Sequence, residues 1–303
     1  MEKNLLDFIG KTPLLQLKNF APDAKIFAKL ESKNPGGSAK DRAAAAMILA
    51  AEKSGKIENG KIAEATSGNT GIALAWISRL KKYELFLTMP ENFSAERKKI
   101  LQFLGAKIFL TKKSDGMRGA VAAAQKIAAE KKAFLVNQFE NPENANAHFC
   151  TTGPEIWQQM EKKIDVAIFG VGTGGTLTGA GKYLKMKNPA IKIFAVEPEK
   201  SAVLSGESSA AHQIEGIGAG FWPPLLPANL LDGIAKISEK SALAAVQNLA
   251  QKEGVSAGIS SGAAAAAAQK IAKNFPQKKI VTIFPDSAEK YFSTKLFQNL
   301  TFE

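Results

Sequence analysis

The sequence predicts an α/β fold in which largely parallel sheets are covered by helices on both faces. Short apolar runs alternate along the chain with alanine-rich segments of helical length, and this alternation favours parallel strands joined by helical crossovers. The strand candidates are mainly apolar, as is typical of strands buried on both sides. A chain of 303 residues is long enough for about two domains.

The predicted elements follow in a regular order along the chain. Strands are expected at 25–31, 61–64, 84–89, 107–111, 133–137, 165–170, 191–196 and 279–284. Helices are expected at 43–51, 71–81, 94–105, 116–132, 153–162, 177–186, 242–253 and 262–274. Turn residues concentrate in 138–152, which is expected to mark a crossing between domains. They also concentrate in 198–227, which is too long for an ordinary connection and is expected to be functional or mobile.

Composition and charge exclude several classes of protein. The net charge is +12, but the positive residues are scattered without an interleaved aromatic stripe, so we expect a solvated basic surface and no nucleic-acid partner. No apolar run is long enough to span a membrane, and no signal region opens the chain, so a cytoplasmic location is expected. His148 and His212 lack the spacing of metal ligands, so no metal is expected. Cys150 is expected to be buried, and Glu96 and Arg97 to be solvated.

One lysine stands in a setting that favours chemistry. Lys40 ends the segment Asn34-Pro-Gly-Gly-Ser-Ala-Lys40, which follows a strand candidate and precedes an alanine-rich helix. It is therefore expected in the first turn of a helix, after a tight turn. The positive end of the helix dipole opposes an ammonium group there, and a Schiff base would relieve that opposition. On position alone, a solvated lysine is the commoner interpretation.

A glycine-rich loop offers two interpretations. Gly170-Val-Gly-Thr-Gly-Gly175 follows a strand and precedes a helix, and Glu197 ends the next strand, which is the context of a dinucleotide-binding fingerprint. Two hydroxyl residues, Thr173 and Thr176, are built into the same loop. Backbone N–H groups, hydroxyls and a helix N-terminus suit one compact phosphate group equally well. The alternatives are a dinucleotide and a small phosphorylated cofactor.

Three further segments distinguish these alternatives. The turn 64–71 is crowded with short hydrogen-bond donors and suits a carboxylate, and the turn 258–262 places hydroxyls ahead of another helix. With the Lys40 turn they are unexplained by a dehydrogenase, although each alone could be a helix cap. A pyridoxal 5′-phosphate enzyme explains all three. Lys40 would form the Schiff base, the 172–176 loop would hold the phosphate, and a hydroxyl from 258–262 would meet the pyridine nitrogen.

The chain resembles the cysteine synthase (O-acetylserine sulfhydrylase) family, which belongs to the tryptophan synthase β-like class of pyridoxal phosphate enzymes. The resemblance runs from Asp7 to Thr294. It is carried by Asn34-Pro-Gly-Gly-Ser-Ala-Lys-Asp-Arg42, Thr66-Ser-Gly-Asn-Thr-Gly71, Met89-Pro90, Asn137-Gln138-Phe139, Thr151-Thr-Gly-Pro-Glu-Ile156, Gly172-Thr-Gly-Gly-Thr176, Glu215-Gly-Ile-Gly-Ala-Gly220 and Gly258-Ile-Ser-Ser-Gly262. It implies two open, twisted, mostly parallel sheets. It also implies a smaller, mobile domain at 41–145 and a larger one from 1–40 plus 146–303.

The resemblance also implies roles for individual residues. Lys40 is the implied Schiff-base lysine and proton-transfer base, Asn69 bonds the cofactor's phenolic oxygen, and Ser260 lies at the pyridine nitrogen. The implied phosphate site consists of Gly172, Thr173, Gly174, Gly175 and Thr176. The substrate carboxylate is implied to bind Thr66, Ser67, Gly68, Thr70 and Gln138. The turn 216–220 would line the mouth of the site.

The implied activity is that of a pyridoxal phosphate-dependent transferase. It would replace the acetate of O-acetyl-L-serine with sulfide, through an aminoacrylate intermediate, and form L-cysteine. A Pro285-Asp286-Ser287 turn is more similar to cystathionine β-synthase relatives. That activity, cysteine desulfhydrase activity, and the use of thiosulfate or O-phosphoserine are therefore alternatives, and the role of Asp286 is open. A regulatory binding module is disfavoured because Lys40 is present. The family also implies a homodimer and suggests the C-terminal tail of serine acetyltransferase as a partner.

Overall fold

A computed structural model describes residues 3–66, 68–91 and 95–294, and its architecture is α/β. The strands are β1 (Leu14–Gln16), β2 (Lys25–Leu30), β3 (Lys61–Ala65), β4 (Glu84–Pro90), β5 (Lys107–Thr111), β6 (Phe134–Leu135), β7 (Val166–Gly170), β8 (Lys192–Pro198), β9 (Gly233–Ile237) and β10 (Lys279–Phe284). The helices are α1 (Lys40–Lys53), α2 (Asn69–Lys81), α3 (Ala95–Phe103), α4 (Gly116–Lys131), α5 (Pro142–Ala147), α6 (Gly153–Gln159), α7 (Gly175–Lys187), α8 (Glu239–Glu253) and α9 (Ile259–Ala272). In the part of the chain described, none of these helices is long and apolar enough to cross a bilayer.

The strands form two separate sheets. The larger sheet has the order β1-β2-β10-β7-β8-β9, and the smaller has the order β5-β4-β3-β6. All pairings are parallel except that β1 runs antiparallel to β2 at the edge of the larger sheet. The two open, mostly parallel sheets that the family resemblance implies are therefore confirmed.

Both faces of the larger sheet are buried. Successive residues of β10 alternate between the two faces, so that Ile280 packs into a core with α8 and α9 while Val281 packs with α6 and α7 on the other side. This arrangement explains why four of the six residues of the strand are apolar instead of alternating with polar residues. Helix α9 can lie close to its neighbours because it is rich in alanine. A Cβ on its Gly262 would meet the backbone oxygen of Ala242 at 2.3 Å.

The smaller sheet is covered in the same way. Helices α1 and α2 pack on one face through residues such as Met47 and Leu74, and α4 covers the other through Ala124 and Ile127. The carboxyl ends of both sheets point to a common cleft, because β3, β7 and β10 each run directly into a loop that lines it. In parallel α/β sheets this is the edge at which ligands bind.

The predicted elements are present, with ends that differ by at most three residues where they are described. Two strands were missed, β1 and β9, and they are the two edge strands of the larger sheet. The expectation of a loop at 138–152 was wrong. Asn141 caps α5 by accepting from the N–H of Glu143, Pro142 occupies its first turn, and a π-helical turn at His148–Thr152 continues directly into α6. The 198–227 segment is irregular with short 3-10 turns, as expected for a long loop.

Candidate active site

A cavity of about 780 Å³ lies in the cleft between the two sheets. Its walls come from segments far apart in the sequence: the Lys40 turn, the loop after β3, the loop after β7, the 215–219 turn and the start of α9. Helices α1, α2, α7 and α9 all begin at this cavity. The first-turn backbone N–H groups and the positive dipole ends of these helices make the cavity suited to anionic groups.

Lys40 is the first residue of α1, as the sequence predicts. A tight turn precedes it, in which the N–H of Gly37 donates to the carbonyl of Asn34 at 2.8 Å, with Gly37 at a φ of +75°. The backbone of Ala39 is bonded to Pro285 at the end of β10, which fixes the turn against the larger sheet. Burial lowers the pKa of the Lys40 amine, and the carboxylate of Asp286 opposes that effect. Its Nζ has no hydrogen-bond partner among the described residues.

The glycine-rich loop after β7 forms a close backbone cradle. Gly174 has a φ of +81° and immediately precedes α7. A Cβ on Gly172 would meet the carbonyl oxygen of Gly216 at 2.5 Å, and one on Gly175 would meet Oδ1 of Asn144 at 2.1 Å. The missing side chains let the loop approach its neighbours, and they leave N–H groups and hydroxyls at the cavity. This donor set suits one phosphate group.

Replacing Gly172 with alanine should weaken the binding of a phosphate-bearing cofactor by about tenfold or more. The added methyl group must displace either the loop or the Gly216 backbone, and neither is a flexible side-chain end. Gly181→Ala, in α7, is the matched control, because its Cβ would lie 3.4 Å from the side chain of Leu230, an ordinary contact. Titration of each cofactor-free variant with pyridoxal phosphate measures the effect. Equal affinities in the two variants would contradict it.

Two buried polar side chains support the cradle from behind. Nε2 of His148 lies 3.1 Å from Oγ1 of Thr176, and its Nδ1 lies 2.8 Å from Oγ1 of Thr152. Asn144 donates to Oγ1 of Thr173 at 3.0 Å and to the carbonyl of Gln138 at 2.7 Å. The two loop hydroxyls are therefore held in place by α5 and the π-helical turn, the segment expected from sequence to be a loop. His148 is structural, as the sequence predicts, and it also positions Thr176.

Burial lowers the pKa of His148 to about 3. From this shift we predict how the free energy of unfolding changes at acid pH. In the unfolded chain the pKa of histidine is near 6.5. Below that pH the unfolded chain binds a proton that the folded protein excludes, so stability falls as the pH drops from about 6.5 towards 3. His148→Gln should remove about 2 kcal/mol of the stability difference between pH 7 and pH 5. Urea unfolding of both proteins at the two pH values measures this. If the wild-type protein and His148→Gln lose the same stability between pH 7 and pH 5, the imidazole of His148 accepts the proton in the folded protein and the prediction is wrong.

The loop after β3 contributes a second cluster of donors. Oγ1 of Thr70 donates to Oε1 of Gln138 at 2.7 Å, and the N–H of Gly68 donates to Oγ1 of Thr66 at 3.3 Å. All four residues line the cavity at the start of α2. Ser67, assigned to the same carboxylate site from sequence, lies outside the described residues. The cluster could hold a substrate carboxylate through backbone N–H groups and hydroxyls.

Glu64 is a buried acid beneath this loop that sequence reasoning missed. Its carboxyl oxygens accept from the N–H of Ala65 at 2.9 Å and of Gln138 at 3.1 Å. Burial raises its pKa to about 7, so a substantial part of it is uncharged near neutral pH. It therefore fixes Gln138 without placing a full negative charge under a carboxylate site. Its place at the end of an apolar strand was the only signal in the sequence.

Asn69 and Ser260 both line the cavity. Nδ2 of Asn69 donates to Asp286 at 2.6 Å, and its Oδ1 accepts from Lys290 at 3.0 Å. Ser260 lies in the first turn of α9, 3% exposed, and its hydroxyl makes no hydrogen bond to the described residues. The structure thus brings every described residue of the sequence-predicted site to the cavity wall except Gly175, which lies just behind the loop.

Two expectations about single residues were wrong. Arg97 is not solvated: it is 5% exposed, its guanidinium pairs with Glu215 at 2.5 Å, and it lies over the ring of Tyr291. It therefore connects α3 of the smaller sheet with the turn that lines the mouth of the cavity. Cys150 is exposed because it lies on the outer side of the π-helical turn. The side chain of Glu96 lies outside the described residues.

A buried cluster of charges anchors the start of α1, and sequence reasoning missed it. Arg42 binds Glu31 through Nε and Nη2 at 2.7 and 2.8 Å, and Glu155 through Nη1 and Nη2 at the same two distances. Lys29 pairs with Glu155 at 2.7 Å. Two cations thus meet two anions, and these four residues come from β2 and the turn after it, from α1 and from α6. Their charges balance, and this is the condition under which burying them is tolerated. Arg42 lies two residues after Lys40 on α1.

The cavity fits pyridoxal phosphate on its own chemistry. It combines the Lys40 amine, whose pKa is lowered by burial, a backbone cradle for one phosphate group, a turn of donors that suits a carboxylate, and the hydroxyl of Ser260. The comparison with known families agrees: residues 5–286 match the pyridoxal-phosphate dependent enzyme family. The chain belongs to this family.

Within it, the chain is similar to cysteine synthases. It is 47% identical over 299 residues to "Cysteine synthase" of Staphylococcus aureus (strain Mu50 / ATCC 700699), covering 97% of this chain and 96% of that relative. A crystal structure of cysteine synthase from Entamoeba histolytica superposes with a TM-score of 0.95 at 39% identity, covering 100% of this chain and 93% of that one. An O-acetylserine dependent cystathionine beta-synthase from Helicobacter pylori has a TM-score of 0.92, also at 39% identity, covering 98% and 99%.

Proposed function

We propose that the protein is a pyridoxal phosphate-dependent cysteine synthase that forms L-cysteine from O-acetyl-L-serine and sulfide. The observation that carries the proposal is the meeting in one cavity of Lys40, the phosphate cradle and the carboxylate-binding turn. The 47% identity to a cysteine synthase over nearly the whole chain supports it. The alternatives with other sulfur donors or other activated serines are not favoured by these similarities.

Bound pyridoxal phosphate supplies an electron sink for negative charge that develops at the α-carbon of the amino acid. Lys40 is the residue that would anchor it through the amine Nζ. The same amine, once released by the incoming substrate, is placed to take the α-proton. Its lowered pKa suits both tasks, because a neutral amine is the form that attacks a carbonyl carbon and the form that accepts a proton.

The other residues bind and orient. We assign the cofactor phosphate to Gly172, Thr173, Gly174, Gly175 and Thr176, and the substrate carboxylate to Thr66, Ser67, Gly68, Thr70 and Gln138. Ser260 would meet the ring nitrogen. A hydroxyl does not force that nitrogen to carry a proton as a carboxylate would, and this moderates the electron sink in favour of eliminating acetate over transamination.

A closing movement of the smaller domain would complete the site. We assign residues 41–145 to that domain and 1–40 plus 146–303 to the larger one, consistent with the two separate sheets. Substrate binding by the 66–70 loop would draw the domains together and exclude water from the cavity. The Arg97–Glu215 pair already spans the cleft at its mouth and would favour the closed arrangement.

A product assay tests the proposed function. The purified enzyme with pyridoxal phosphate is incubated with O-acetyl-L-serine and, in separate reactions, with sulfide, thiosulfate or homocysteine. Matched reactions replace O-acetyl-L-serine with O-phosphoserine, serine or cysteine. Cysteine should form fastest from O-acetyl-L-serine and sulfide. Cystathionine as the main product, or sulfide released from cysteine, would show that one of the alternative activities is the true one.

We further infer from the family resemblance that the enzyme is a homodimer and acts in the cytoplasm. Exposed large apolar side chains such as Phe103, which is 89% exposed, are consistent with a covered face in the dimer. A serine acetyltransferase tail is a further candidate partner, since its terminal carboxylate matches the donors of the substrate site. Sedimentation equilibrium, with and without a peptide of that tail, tests both: a monomer that ignores the peptide would contradict them.

A further inference from the structure

Asn69 lies between two charged side chains of the segment after β10. Its Oδ1 accepts from Nζ of Lys290 at 3.0 Å, and its Nδ2 donates to Oδ2 of Asp286 at 2.6 Å. Asp286 is 1% exposed, and its Oδ2 also accepts from the hydroxyl of Tyr291. Nothing in the reaction as described so far uses this carboxylate or this lysine.

The charges decide which way the Asn69 amide faces. In the observed orientation an ammonium group meets the amide oxygen and a carboxylate meets the amide N–H. A flipped amide would bring oxygen to carboxylate and N–H to ammonium, and would exchange two attractive contacts for two repulsive ones. Hydrogen bonds to charged groups are the stronger kind, so the pair selects one of two otherwise similar rotamers.

The two anchors are themselves held firmly. Nζ of Lys290 also donates to the carbonyls of Gly36 and Gly37 at 3.2 and 2.9 Å, so its three N–H donors are all used. The carbonyl of Asp286 accepts from the N–H of Gly258, just before the helix that carries Ser260. The pair therefore connects Asn69 to the Lys40 turn and to α9, which carry the other residues of the cofactor site.

We propose that Asp286 and Lys290 are positioning residues that hold Asn69 with one amide N–H free for the cofactor. An amide nitrogen has two N–H groups, and only one is used by Asp286 among the described residues. Asn69 lines the cavity, so the second can donate to an oxygen anion on the cofactor ring. This inference rests on the proposed function in that pyridoxal phosphate occupies the cavity.

The test is a set of double-mutant cycles in which two quantities are measured: the affinity for pyridoxal phosphate and the absorption maximum of the bound cofactor. Asp286→Ala and Lys290→Met should each weaken pyridoxal phosphate binding by about tenfold and shift the absorption maximum of the bound cofactor. In an Asn69→Ala background the same changes should have a clearly smaller effect, because the contact with Asn69 is gone while the contacts with the Lys40 turn remain. Asp286→Asn keeps an acceptor oxygen and should restore part of the affinity.

Lys185→Met is the matched control, since Lys185 pairs with Asp232 at 2.7 Å away from the cavity. It should leave affinity and spectrum unchanged. If Asp286→Ala does not fold, the same measurements on Lys290→Met and Asp286→Asn test the proposal. An equal loss in the Asn69→Ala background, or an unshifted spectrum, would overturn the proposal. A wild-type protein that binds no pyridoxal phosphate would overturn the proposed function and this inference with it.

Discussion

Lys40→Ala should abolish both the visible band of bound pyridoxal phosphate and the formation of cysteine. Lys40 lines the cavity together with the segments proposed to bind the cofactor, and its amine makes no hydrogen bond to the described residues. Without it the cofactor would lose its covalent anchor, and the amine proposed to take the α-proton would be gone. We expect turnover to fall by at least about a thousandfold, which combines the loss of covalent anchoring with the loss of a general base.

The measurement is an absorption spectrum of each purified protein, followed by an assay of cysteine formation. Lys33→Ala is a suitable control, because Lys33 lies just before the same turn but not on the cavity wall. It should retain the band and the activity. A yellow, active Lys40→Ala protein would refute the assignment of this residue.

Arg42→Met should destabilise the folded protein by about 3–5 kcal/mol. Arg42 binds both Glu31 and Glu155 in a bidentate manner, and Glu31 is fully buried. Removal of the guanidinium leaves a buried carboxylate without its partner, which costs more than the ion pair itself contributes. Because Arg42 lies two residues after Lys40 on α1, pyridoxal phosphate affinity should fall as well.

Urea unfolding measures the loss, and Lys278→Met is the control. Lys278 pairs with Asp165 at 3.0 Å on the surface, where a single pair contributes little. An Arg42→Met protein as stable as this control would contradict a role for the buried cluster in holding α1.

The buried charge cluster around Arg42 also accounts for part of the expected loss of folding stability at acid pH. Burial alone would raise the pKa of Glu155, but the hydrogen bonds and attraction of Arg42 outweigh it and lower the pKa to about 2. A carboxyl group with a lowered folded pKa contributes stability above its unfolded value near 4.5. That contribution is lost as the pH falls from there towards 2. His148 adds a loss that begins at higher pH, so the free energy of unfolding should fall over two overlapping pH ranges.

The sequence predicted the architecture because the signals for it are local. Apolar strands, alanine-rich helices and turn residues each depend on a few neighbouring positions. The Lys40 turn and the glycine-rich loop were recognisable for the same reason: tight backbone turns need glycine at fixed places. The edge strand β1 was missed because its three residues carry too little pattern. The helix α5 was missed although Asn141 and Pro142 are local signals for a helix start, because the same residue types are also common in turns.

The contacts that sequence reasoning missed join residues that are far apart in the chain. Arg42 meets Glu155, 113 residues away, and Asn69 meets Asp286, 217 residues away. From sequence alone a charged residue is expected to be solvated, because its partner is not adjacent in the chain. Arg97 is an example, since the fold brings it to Glu215. The Pro285-Asp286-Ser287 turn gave a signal, since it departs from the usual family pattern, but only the structure shows that its carboxylate binds Asn69.

The central claim is most directly tested by the visible absorption spectrum of the purified protein, recorded before and after O-acetyl-L-serine and again after sulfide. A yellow protein should result, whose band moves to longer wavelength with O-acetyl-L-serine and returns when sulfide is added, with one cysteine formed per site. A colourless protein that pyridoxal phosphate cannot reconstitute, or a yellow one whose band ignores O-acetyl-L-serine, would contradict the account.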